Sequence, residues 1–189
     1  MTRWFTSDLH FYHFNVIRYC DRPFTTVEEM NEGLVENWNR KVKAEDEVYI
    51  LGDFSLALRP VELFPRRLNG LKYLVPGNHD YCHPHHKKGR RDLPKWKAFY
   101  PLNGLTVLPL QTPFQLSDGT NVLLSHIPST NQDPRYIGFA PSKFAGWVLC
   151  GHVHEKWLVE GNNINVGVDQ WGMSPVSEDE IIETIRIYT

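Results

Sequence analysis

An α/β fold is predicted for this 189-residue chain by three features of its sequence. Five short apolar runs each close on a polar cluster: Trp4-Phe5-Thr6 before Ser7-Asp8, Val48 to Leu51 before Gly52-Asp53, Tyr73 to Val75 before Gly77-Asn78, Val122 to Leu124 before Ser125-His126, and Trp147 to Cys150 before Gly151-His152. Runs of this length bounded by turn residues read as buried strands. Helical spacing with start signals fills intervals between them, and the second half carries two turn-centred strand pairs. Five strand ends that each bear a chemically useful residue are what one crevice at the carboxyl ends of an α/β sheet produces.

The elements follow in chain order. Thr26-Val27-Glu28-Glu29 has the form of a capping box, and Val27, Met30, Leu34, Val35 and Trp38 then recur at three- and four-residue spacing, which predicts a helix to about Lys43. Pro60 opens a second helix whose apolar residues Leu63, Phe64 and Leu68 precede a stop at Gly70. A third starts near Pro94, and Ser177-Glu178-Asp179-Glu180 has the form of a second capping box before Ile181, Ile182 and Ile185. Ser117-Asp118-Gly119 and Glu160-Gly161-Asn162 are hairpin turns. The turn-rich stretch from Pro128 to Pro141 reads as a surface loop beside the site.

Composition limits the possibilities. Apolar residues are 41% of the chain, enough for one continuous core, and no linker or repeat interrupts it, so a single domain over 1–189 is expected. A formal net charge of -2 supplies no overall field toward nucleic acid or an anionic membrane, so any polyanion binding is local. No run approaches the roughly 18 apolar residues of a membrane span, and the N-terminus has no apolar signal stretch. Three widely spaced cysteines, Cys20, Cys82 and Cys150, argue against a disulfide framework and for a reducing, cytoplasmic setting.

The chemistry is concentrated in the histidines, all nine of which lie in four short stretches near those strand ends. Asp8 and His10 stand at i and i+2, as do His152 and His154 after a glycine; either pair alone is commonplace in a surface turn. With Asp53, Asn78 and His126 they make seven oxygen and nitrogen donors, suited to two divalent cations, and Asp53 is the expected shared ligand. Two such ions lower the pKa of a bridging water and neutralise a phosphate, the basis of metal-assisted hydrolysis by hydroxide attack. His79, next to Asn78, is the candidate general acid, and Asp80 the candidate to orient its imidazole. His13, Asn78 and His79 are candidates for contact with substrate phosphate. Arg18 and Arg22 could lend positive charge to the rim of the site, but solvated surface arginines are commoner and they are read as such; the run from His83 to Arg91 is read as a solvated loop or a polyanion-steering patch.

Asp8-x-His10, Gly52-Asp53, Gly77-Asn78-His79-Asp80, His126 and Gly151-His152-x-His154 resemble, in order, the signature of calcineurin-like metallophosphoesterases. The chain is most similar to small bacterial and phage members that open with Ser-Asp-Leu-His-Phe and carry a stretch like Arg22-Pro23-Phe24. The resemblance implies a four-layer α/β fold, two sheets packed face to face and flanked by helices. It implies Asp8, His10, Asp53 and His154 on one metal, Asp53, Asn78, His126 and His152 on the other, and His79 at the phosphoryl group or leaving oxygen. Mixed imidazole and oxygen donors favour Mn²⁺ and accept Fe, Zn²⁺, Ni²⁺ or Mg²⁺.

No long insertion builds a cap, so an open site is expected, with a phosphodiester of the cyclic-nucleotide or nucleic-acid kind preferred. The rival activities are a phosphomonoesterase or protein phosphatase and, outside enzymes, a metal-stabilised nucleic-acid-binding module. Nothing in the residues signals an oligomeric state.

Overall fold

The structure, a computed structural model, describes residues 1–189. Ten strands form two five-stranded mixed sheets. In the first, β1 (Arg3–Thr6), β2 (Glu47–Ile50), β3 (Leu71–Leu74) and β4 (Thr106–Val107) run parallel, and β10 (Val176–Ser177) pairs antiparallel with β1 at the edge. In the second, β6 (Asn121–Ser125), β7 (Trp147–Cys150) and β9 (Asn163–Asn165) run parallel, with β5 (Gln111–Gln115) and β8 (Val159–Glu160) antiparallel at the two edges. Both predicted hairpins form, as β5-β6 and β8-β9.

Alternation along the strands sorts the core into layers. Phe5, Leu51, Val75, Leu124, Leu149 and Ile164 meet between the sheets. Val48, Ile50 and Leu74 point the other way, into a core with Met30, Leu34 and Trp38 of α2 (Val27–Lys41), Val16 of α1 (Phe14–Tyr19), Val61 of α3 (Leu58–Leu63) and Tyr100 of α4 (Leu93–Leu102). Ile181, Ile182 and Ile185 of α5 (Glu178–Tyr188) join the inter-sheet core. On the outer face of the second sheet, Leu123, Val148 and Cys150 are covered by the loop residues Phe144 and Trp157 rather than by a helix.

Phe5 is wholly buried between the sheets, stacked on Tyr49 at 5.6 Å and edge-on to Phe114 at 5.6 Å. Phe5→Ala is expected to cost about 3–5 kcal/mol, the usual range for a buried phenylalanine, as a lower urea midpoint with an unchanged slope.

Local signals hold with three adjustments. The Ser177 capping box closes reciprocally. At α2 the Thr26 hydroxyl accepts from Glu29 N–H at 3.1 Å, but the Glu29 carboxylate takes Thr25 N–H at 2.7 Å, so the return arm reaches one residue further out than the expected box. The second helix begins at Leu58, before Pro60, and has ended by Phe64, with Leu63 on its exposed side. The 83–91 stretch is not a solvated loop throughout: His83 is buried, its Nδ1 accepts from His85 N–H at 3.0 Å, and His86 Nδ1 accepts from Gly89 N–H at 2.9 Å. Only its Lys and Arg side chains remain exposed, because the imidazoles have backbone donors and aromatic neighbours to satisfy them.

Candidate metal centre

Register brings the functional loops to one level. Thr6, Ile50 and Leu74 are aligned across the first sheet, so the segments after β1, β2 and β3 leave together. Leu124 aligns with Leu149, and Leu149 with Ile164, so the segments after β6, β7 and β9 do the same in the second. A lone parallel bridge between Ser7 and Gly167 joins the two sheets at this end.

Backbone strain marks the place. Eight non-glycine residues have positive φ, and five are predicted ligands: Asp8 (56°), His10 (52°), Asp53 (53°), His152 (74°) and His154 (52°). Each costs on the order of 1–2 kcal/mol, so their gathering here indicates a conformation held for its side chains. Leu9 and Phe11 alternate with Asp8 and His10 and are buried in the helix-side core, which anchors the strained loop. Gly52 and Gly151 make close approach possible. A Cβ on Gly52 (φ +91°) would lie 2.6 Å from Gly77 Cα and from His126 Nδ1, and one on Gly151 would overlap Ser7 and Asp8.

Six of the seven predicted ligands are linked by direct contacts. Asp53 Oδ2 lies 3.4 Å from His126 Nε2 and 3.7 Å from His10 Nε2, and Asp8 Oδ1 lies 3.8 Å from the Nε2 atoms of both His10 and His154. Asn78 Oδ1 is 3.1 Å from His126 Nε2. The seventh, His152, enters through ring contact with His126 at 5.3 Å and through its backbone N–H, which donates to Asp8 Oδ2 at 2.9 Å. Two donor groups have the compactness of a cation site, Asp8-His10-His154 and Asp8-Asp53-His126. Asp8 belongs to both, while Asp53, the expected shared ligand, lies within reach of His10 as well as His126.

Hydrogen bonding orients the rings and leaves atoms that need a cation. His126 Nδ1–H donates to Leu51 O at 2.7 Å, so its Nε2 faces two oxygens. His154 Nδ1–H donates to Asp169 Oδ2 at 3.1 Å, which turns its Nε2 to Asp8. Asp8 Oδ1, both ring nitrogens of His10 and His13 Nδ1 are buried without a hydrogen-bond partner. An orphaned buried polar atom costs about 1–3 kcal/mol, and coordination to a cation removes that cost for the ligand atoms, so the donor set fits a metal.

Burial lowers the pKa of His126 and His154, but Asp53 beside the first raises it overall to about 9, and Asp8 and Asp169 beside the second raise it to about 11, so without a cation these two imidazoles take up protons to balance the carboxylates. Burial lowers His152 to about 3 and holds His10 well below its usual value, leaving both neutral and able to coordinate. For Asp53, burial is outweighed above all by the neighbouring His126, which keeps it ionised.

The other predicted residues have distinct places. The ring of His79 is half exposed, edge-on to His10 at 5.6 Å, with Nε2 4.0 Å from Asp53 Oδ2. The His13 ring lies 5.2 Å from that of His10. Asp80 departs from expectation. Its wholly buried carboxylate accepts from the backbone N–H groups of Asp53 (2.9 Å), Gly77 (2.8 Å) and Phe54 (3.2 Å), so it braces the loops carrying Asp53 and Asn78 and makes no hydrogen bond to the His79 imidazole. Burial and the Asp53 charge push it up to about 7. Tyr136, from the loop read as lying beside the site, packs edge-on against His152 at 5.0 Å. Trp171 packs against the inter-sheet core, its Nε1–H donating to Asn165 O at 2.8 Å.

Two residues outside the expected set belong to the centre. Arg22 is 4% exposed rather than a surface residue, and grips Asp169 through Nε–Oδ1 at 2.8 Å and Nη2–Oδ2 at 3.0 Å. Asp169 follows β9 through Val166-Gly167-Val168, so the pattern of a strand, a glycine and an aspartate that marks Asp53 is present there too. A third compact donor group, Cys20-His154-Asp169, lies behind His154, with both Asp169 oxygens already engaged by Arg22 and one also by His154.

Residues 1–156 match the sequence profile of the calcineurin-like phosphoesterases. The chain belongs to that family. It is accordingly a metal-dependent phosphoesterase, a hydrolase of phosphoric esters. An uncharacterized protein of Methanocaldococcus jannaschii is 34% identical over 95% of this chain and 89% of its own length. The Gene 66 protein of Mycobacterium phage D29 is 34% identical over 97% of this chain and 95% of its own. A crystal structure of a protein of unknown function from Aquifex aeolicus superposes with a TM-score of 0.65 at 26% identity, covering 97% of this chain and 98% of that one. No helix of this phosphoesterase is long and apolar enough to cross a membrane.

Proposed function

We propose that this phosphoesterase is a two-metal phosphodiesterase acting as one domain over residues 1–189 in the cytoplasm, a setting that three unpaired cysteines support. The observation that carries the reading is the pair of compact donor groups that meet at Asp8, one of them including Asp53, with buried donor atoms that lack any hydrogen-bond partner. Asp8, His10, Asp53 and His154 would hold one ion and Asp53, Asn78, His126 and His152 the other, with Mn²⁺ the first choice among Mn²⁺, Fe, Zn²⁺, Ni²⁺ and Mg²⁺ for this mixture of donors. When bound, the pair supplies Lewis-acid neutralisation of phosphoryl oxygens and a water acidic enough to deprotonate near neutral pH.

The residues around that pair divide the remaining work. His79, half exposed at the edge of the donor cluster, carries a proton to the leaving oxygen, and its backbone N–H donates to Asp53 Oδ1 at 2.8 Å, which ties its position to the ligand set. His13 and Asn78 contact the phosphate. A metal-stabilised binding module has no use for a half-exposed imidazole in this position, which favours catalysis over a purely structural centre. The preference for a diester is supported by Arg22, whose guanidinium is consumed by Asp169 and two backbone carbonyls and is not free to balance the second charge of a monoester.

Mn²⁺-loaded protein is expected to hydrolyse bis(4-nitrophenyl) phosphate with a higher kcat/KM than 4-nitrophenyl phosphate. The shared leaving group isolates the effect of phosphate charge, and a reversed ratio assigns the enzyme to monoesters.

A further inference from the structure

The two donor groups are held from behind by different residues. On one side, His126 is set by Leu51 O, and the Asp53 and Gly77 turns by Asp80. On the other, a single buried guanidinium reaches everything. Arg22 Nη2 donates to Asp8 O at 2.7 Å and Nη1 to Leu9 O at 3.1 Å, pinning the strained segment that presents Asp8 and His10. The same side chain fixes both oxygens of Asp169, which in turn accepts Nδ1–H of His154. Asp8, His10 and His154 come from two different sheets, yet all three are held through Arg22, directly or through Asp169.

We infer that Arg22 and Asp169 are positioning residues dedicated to the Asp8-His10-His154 half of the centre, so that the two ions are held with separately adjustable affinities. The physical basis is the orientation of the His154 ring. With Asp169 Oδ2 3.1 Å from Nδ1, Nε2 is the nitrogen turned toward Asp8 and offered to a cation; without that partner nothing fixes which nitrogen faces the site. Arg22 makes the arrangement rigid, because a planar fork satisfies a carboxylate at both oxygens while its remaining N–H groups reach two carbonyls, which a lysine cannot do. A surface pair would have little leverage, but the Arg22 and Asp169 side chains are 0% and 1% exposed, where a lost partner leaves an uncompensated charge.

The inference rests on the two-metal reading, and the experiment separates the two. Manganese binding to metal-free wild type, Asp169→Asn and Arg22→Lys is followed by equilibrium dialysis and by electron paramagnetic resonance, which distinguishes a coupled pair from a single ion. An amide cannot accept at both positions of Asp169, and the ammonium cannot span the Arg22 contacts. Each variant is therefore expected to weaken one ion by about 10–100-fold, the usual effect of a lost outer partner, and to retain the other near wild-type affinity. Glu178→Gln is the control for the loss of a partly buried arginine partner, since Glu178 is paired with Arg3 at 2.6 Å at the end of β1 away from the site; it is expected to retain both ions. Unchanged binding of both ions in Asp169→Asn and Arg22→Lys overturns the inference, as does equal weakening of both. A single ion in wild type overturns the two-metal reading instead, and the inference then stands or falls on whether that one ion weakens in the two variants.

Discussion

Replacement of Asp53 by alanine is expected to empty both cation positions at once and to reduce turnover at least about a thousandfold. The carboxylate is 2% exposed, and its Oδ2 lies 3.4 Å from His126 and 3.7 Å from His10, between the two groups of donors. Removing it takes away a ligand on either side together with the negative charge that makes adjacent cations tolerable in a buried site. Paired ions supply several kcal/mol of charge stabilisation, and about 1.4 kcal/mol corresponds to one decade in rate, which sets the size of the loss. Metal analysis after dialysis is the check. Retention of one full equivalent would transfer the shared role to Asp8, the residue common to both compact groups.

His79→Ala is expected to leave the metal content and the fold intact and to slow hydrolysis at least about a hundredfold for an ester with a poor leaving group. The ring is half exposed and makes no contact that the core depends on, so its removal leaves neither a cavity nor an orphaned partner. The role proposed for it is delivery of a proton, which typically contributes 10²–10⁴-fold when the departing oxygen is basic and little when it is not. The diagnostic is therefore the contrast between leaving groups: 4-nitrophenol departs nearly unaided, an alkyl alcohol does not. Equal effects on the two esters would reassign His79 to binding.

Both predictions concern residues that were legible in the sequence because each follows an apolar strand and stands beside a glycine or another ligand type. Arg22 and Asp169 were not legible in that way. Arg22 lies in a polar segment after α1 where solvated arginines are the rule, and only its burial against Asp169, 147 residues away, gives it a role. Asp169 carried a usable signal, since Gly167-Val168-Asp169 after the predicted hairpin strand repeats the setting of Asp53 with one residue inserted. Asp80 shows the converse. Adjacency to His79 suggests a partner for the imidazole, but three backbone N–H groups claim the Asp80 carboxylate.

The family, the α/β class, the strands that end at the site and the candidate donors after them were determined by the chain alone, because strand length, apolar alternation and donor type are local properties written in consecutive residues. The tertiary structure decided which donors lie close together, which nitrogen of His126 and of His154 faces inward, and which buried charges hold them there. Those depend on register between strands and on contacts from Arg22 to Asp169 and from Leu51 to His126, pairs brought together only when two sheets close on a common core.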